Sequence, residues 1–142
     1  MEDILRTGLV IVLGTAIVGC GSPARQAQSR QTAAASYAEG VTALESRDYS
    51  GAVEHLSAAL ESGWLGYSTI PAYAKRAIAN AALGNYDAAH ADLDTASQGE
   101  GDTAEIHVVR TYVFEKQGKA KEAKAAWYEA KKLDRRAKKI KD

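Results

Sequence analysis

The sequence is poor in what most chemistries need. It has one cysteine in 142 residues, so no disulfide can form within the chain. Neither charge sign is in excess: 18 lysines and arginines balance 18 aspartates and glutamates. Whole-chain charge therefore gives no attraction to nucleic acid. The histidines are His55, His90 and His107. They form no HxxxH or HExxH pattern, and a single thiolate does not make a zinc set. A Gly-x-Ser-x-Gly elbow, a phosphate-binding glycine loop and a cysteine–histidine pair are all missing. The expectation is a protein without catalytic residues, cofactor or metal. The apolar run Leu9 to Cys20 is about half of the ~20 residues that a membrane-spanning helix requires.

What is present is unevenly placed. From Glu39 to Glu105 there are 11 acidic and 3 basic residues, a net of −8. From Ile106 to Asp142 there are 5 acidic and 12 basic, a net of +7. The short apolar run suits the hydrophobic region of an export signal. Its end, Ile17-Val18-Gly19-Cys20, resembles the bacterial lipobox. That resemblance implies cleavage after Gly19 and acylation of Cys20, with residues 1–19 as signal peptide. Several acyl chains would anchor stably where one is marginal. Gly21 after the cysteine, by analogy with enteric bacteria, points to the outer membrane, facing the periplasm. Residues 20–32, small and polar, read as the acylated cysteine and a flexible tether.

The remainder, 33–142, contains three related passages: SRDYSGAVEHLSAA, LGNYDAAHADLDTA and QGKAKEAKAAWYEA. Aligned on Ala52, Ala89 and Ala123, they are spaced by 37 and 34 residues, a period typical of helical-hairpin repeats. Seven residues after each anchor stands another alanine: Ala59, Ala96, Ala130. Four residues after it stands a bulky side chain: Leu56, Leu93, Trp127. Two antiparallel helices approach closely only where small side chains meet, which explains the alanines. Gly40, Ala77 and Thr111 supply small positions on the first helices. Gly84 and Gly118 precede their anchors by five residues and suit a left-handed turn; Arg47 holds that place in the first repeat.

This pattern resembles the tetratricopeptide (TPR) repeat. The resemblance implies an all-α fold of three helical hairpins, with repeats at about 33–69, 70–103 and 104–137. The apolar stripe Ala123, Ala126, Ala130, Leu133, Ala137, Ile140 keeps helical spacing. It predicts that the last helix continues as an extended basic C-terminal helix. Charged positions thirteen before the anchors and three after them predict cross-hairpin pairs: Arg76 with Asp92, and Glu39 with His55. Arg110 lacks the equivalent partner, because Ala126 stands there.

By the same resemblance, a partner-binding groove is lined by Tyr37, Val41 and Leu44, by Ala74, Ile78 and Ala81, and by Val108, Tyr112 and Glu115. Its mostly apolar character favours an amphipathic helix or a hydrophobic peptide over an acidic C-terminus. Trp64 and Tyr67, in the longer first linker, are a further candidate contact loop. The expected role is a membrane-anchored adaptor or assembly factor in the bacterial envelope, holding another protein or peptide and no nucleic acid. A self-associating, homo-oligomeric scaffold is the alternative.

Overall fold

The computed structural model describes residues 23–62 and 69–141. Cys20, its signal region and the linker residues Trp64 and Tyr67 lie outside the described residues. Six α-helices follow one another: α1 (Pro23–Glu45), α2 (Tyr49–Glu61), α3 (Ile70–Ala82), α4 (Tyr86–Glu100), α5 (Ala104–Lys116) and α6 (Ala120–Leu133). They pair as hairpins α1/α2, α3/α4 and α5/α6. Helix α3 stacks on α2, and α5 packs against both α3 and α4. Among the described residues there is no strand, and no helix is long and apolar enough to cross a membrane.

The three hairpin turns share one hydrogen-bond pattern. Asp48, Asn85 and Lys119 donate their amides to the carbonyls of Ala43, Asn80 and Phe114, five residues back. Arg47, Gly84 and Gly118 likewise bond to Leu44, Ala81 and Glu115. This closes each first helix with a left-handed residue. Gly84 and Gly118 take it at φ 81° and 73°; Arg47 takes the same conformation at φ 62°, where a Cβ is unfavourable. Asp48 then caps α2 by accepting from the Gly51 amide at 2.9 Å, and Thr103 caps α5 through the Ile106 amide.

The repeated small residues sit where the helices cross. Ala52, Ala59, Ala89, Ala96 and Ala130 are buried, with Leu56 and Leu93 filling the space beside them. Gly40 shows how tight this is: a Cβ there would lie 2.6 Å from Leu56 Cγ.

Two stretches differ from expectation. Residues 23–32 are helical rather than a flexible tether; their alanines, arginines and glutamines are good helix formers, although they remain exposed. The basic helical extension is absent, because α6 stops at Leu133. Asp134 turns to extended backbone, φ −137° and ψ 109°, and its carboxylate accepts from the Arg136 amide at 2.8 Å. This local turn competes with a further helical turn. The Lys131 ammonium also donates to the carbonyls of Arg135 and Ala137. A continued helix would stack like charges at three- and four-residue spacing, which is unfavourable.

Candidate binding surface

The first helices of the hairpins, α1, α3 and α5, form one wall. On it, the Tyr37 phenol of α1 is held above its ordinary pKa by burial and, second, by the negative charge of Glu105 on α5.

Of the nine groove positions read from the sequence, five are half-buried: Tyr37, Val41, Leu44, Ile78 and Val108. Ala74 and Ala81, each 1% exposed, belong to the core between helices and offer nothing to a partner. Tyr112 is 4% exposed, packed in the same core as Val109 and Val113. Glu115 is exposed.

The structure gathers Leu44, Ile78 and Tyr112 around one hollow of about 320 Å³. Its other walls come from residues that were not read as groove positions: Glu45, Arg47 and Tyr49 at the first turn, and Ile140 and Lys141 beyond α6. Having left the helix, residues 134–141 return across this wall. Ile140 packs against the core that Ile78 also covers. Lys139 donates to Glu115 at 2.5 Å, and both Lys139 and Lys131 lie over the Trp127 ring, at 5.5 and 5.2 Å. The sequence signal was a single large aliphatic residue, Ile140, inside a run of cations. Its helical spacing from Ala137 and Leu133 concealed that role.

On the opposite side the hairpin junctions carry polar networks. Arg76 on α3 donates to both carboxylate oxygens of Asp92 on α4, at 3.0 and 2.6 Å, and to the Ser57 hydroxyl on α2 at 2.9 Å. Asn80 adds a 3.4 Å bond to Asp92. The hydrogen bond to Asp92, first among the causes, raises the Arg76 pKa above its already high value. The expected Glu39–His55 pair forms as well, at 3.1 Å. Arg110, lacking a carboxylate at position 126, turns instead to Asp102 at 2.8 Å and to the Ser97 hydroxyl at 2.9 Å. There the surface opens into a hollow of about 660 Å³, lined by His107, Arg110, Phe114, Lys124, Ala125 and Tyr128.

These groups make contacts suited to holding helices and protein surfaces together. Among the described residues, no three histidine, cysteine, aspartate or glutamate side chains gather to hold a metal. Arg76, Asp92 and Asn80 satisfy one another.

No protein-family model and no curated protein matches the chain. Among solved structures, the chain is similar to the TPR domain of Arabidopsis OM64, with a TM-score of 0.66. Identity is 21%, over 78% of this chain and 88% of that one. At that identity the likeness shows the fold: an all-helical array of tetratricopeptide-type hairpins.

Proposed function

We propose that the chain is a lipid-anchored adaptor of the bacterial cell envelope, which binds another protein along the wall of α1, α3 and α5. TPR folds serve as protein-binding scaffolds, and this supports the coarse role. The single observation that carries the placement is the hollow bounded by Leu44, Ile78 and Tyr112. Apolar side chains converge there from three successive hairpins, and a concave, mostly apolar surface with a polar rim is what peptide recognition uses. The anchoring half rests on Cys20 and the apolar residues before it.

Both halves have direct tests. Photo-crosslinking side chains placed at Val41 and Val108 should give partner adducts in a bacterial host, while the same groups at Glu54 and Lys124 should not. Adducts confined to Glu54 and Lys124 would move the binding surface to the other side. The mature protein from membranes should have the mass of a chain beginning at an acylated Cys20. A retained Met1 without lipid would remove the anchor.

A further inference from the structure

We propose that the wall of α1, α3 and α5 takes a lysine-rich, extended segment carrying one branched aliphatic side chain, and that residues 134–141 occupy this site in cis as a displaceable stand-in. The inference rests on the reading of that wall as the partner surface and adds the chemistry of the partner. Three observations carry it.

The first is that the site already holds such a segment. Lys138, Lys139 and Lys141 surround Ile140, and Ile140 alone among residues 134–141 packs on the core. The second is charge. Lys139 pairs with Glu115 at 2.5 Å, while Lys141 and Glu45 line the same hollow. Arg47 lines the hollow as well and Lys116 lies over the Tyr112 ring at 5.4 Å; the carboxylates available to the lysines are Glu45 and Glu115. The third is fit. About 320 Å³ of open hollow remains beside Ile140, between Leu44, Tyr49, Ile78 and Tyr112. The cis occupant therefore leaves room for a better-fitting aliphatic group. The Lys139–Glu115 pair is substantially solvent-exposed on both sides, at 46% and 40%, and exposed pairs hold weakly. A site closed part of the time binds with an apparent affinity reduced by the open fraction.

The probe is a labelled peptide with the sequence of residues 131–142, titrated into the full chain. Opening the site with Ile140→Glu, or with Lys139→Glu, which breaks the Glu115 pair and the Trp127 ring contact but keeps Ile140, should tighten peptide binding about tenfold. Adding Ile78→Glu to either opened chain, or Glu115→Lys to the Ile140→Glu chain, should abolish that gain, with helical circular dichroism unchanged. In the native chain, excess peptide should speed hydrogen exchange of residues 134–141, and a peptide with Asp in place of its Ile should not. Less than twofold tightening in both opened variants, or binding indifferent to both Ile78→Glu and Glu115→Lys, overturns the proposal. A native dimer that Ile140→Glu dissociates would assign the segment to a second copy and overturn it as well. Partner adducts at Val41 and Val108 that the peptide fails to compete away would leave the wall as a partner surface while removing this partner chemistry.

Discussion

The two junctions between hairpins are built in the same register and end differently. Where α2, α3 and α4 meet, Arg76 finds Asp92 and Ser57 and closes the surface. Where α4, α5 and α6 meet, Arg110 has Ala126 in the place of Asp92 and Asp94 in the place of Ser57. It swings toward the loop before α5 and bonds Asp102. Phe114, in the register of Asn80, stacks at a tilt on His90, ring centres 5.1 Å apart, and the hollow beside it stays open. Arg110 thus draws its carboxylates from Asp102 and, at 3.6 Å, Asp94, and the hollow lies between α5 and α6 with Arg110 and Ala126 on its wall. Position 126 itself remains covered; the difference is of a bridging group and not of packing.

The comparison can be broken most severely at Arg76. Its removal strands Asp92, whose side chain is 7% exposed, and Arg76→Ala should cost about 3 kcal/mol. Arg110→Ala, with partners nearer solvent, should cost less than about 1 kcal/mol. Urea unfolding of the two variants gives both values, and equal losses would show the junctions to be equivalent. A double-mutant cycle of Arg76→Ala with Asp92→Ala should show coupling of about 0.5–3 kcal/mol.

Packing should separate the junctions next. Ala89→Leu, at a fully buried crossing, should lose roughly 1–3 kcal/mol through overpacking. Ala125→Leu, facing the open hollow, should stay within about 0.5 kcal/mol of the parent. Thermal unfolding midpoints distinguish them.

The turns offer a stabilising test. Arg47 alone among the three turn residues pays for a left-handed conformation with a side chain. Arg47→Gly should gain about 1 kcal/mol, making the first turn like the other two. No gain in the denaturation midpoint would mean that the Arg47 side chain supplies a compensating contact.

The smallest effect is electrostatic. Asp102 has a pKa below its ordinary value, chiefly through the hydrogen bond from Ser97, with the Arg110 charge assisting. A depressed carboxylate stabilises the fold above its unfolded pKa, and that contribution disappears as pH falls through the folded one. Asp102→Asn should therefore lower stability slightly near neutrality, where that contribution is full, and flatten the further loss below about pH 4. The same substitution without effect on the acid limb would remove Asp102 from the second junction's account.

Most of the helical array was legible before any coordinates. Ala52, Ala89 and Ala123 mark crossings because close helices tolerate only small side chains, and that constraint repeats with the hairpin. Gly84 and Gly118 mark turns for an equally local reason, and even the anomaly at Arg47 could be located. The Arg76–Asp92 and Glu39–His55 pairs followed from register alone. The groove was only half legible: the repeat places Ile78, Leu44 and Tyr112 on one wall, but Ala74 and Ala81 lie beneath it because neighbouring helices approach over such small residues.

The segment after α6 marks the limit. Leu133, Ala137 and Ile140 have helical spacing, and the sequence by itself determined only that they could form a stripe. Whether a stripe is used as a helix depends on having a surface to cover. Here no further helix among the described residues packs on α6, Asp134 offers a competing turn, and Ile78 with Tyr112 offers Ile140 a place that a straight helix would not reach. Local patterns set the hairpins, because their contacts recur within about 34 residues. Only the tertiary structure, bringing residue 140 to residue 78, decided what fills the wall.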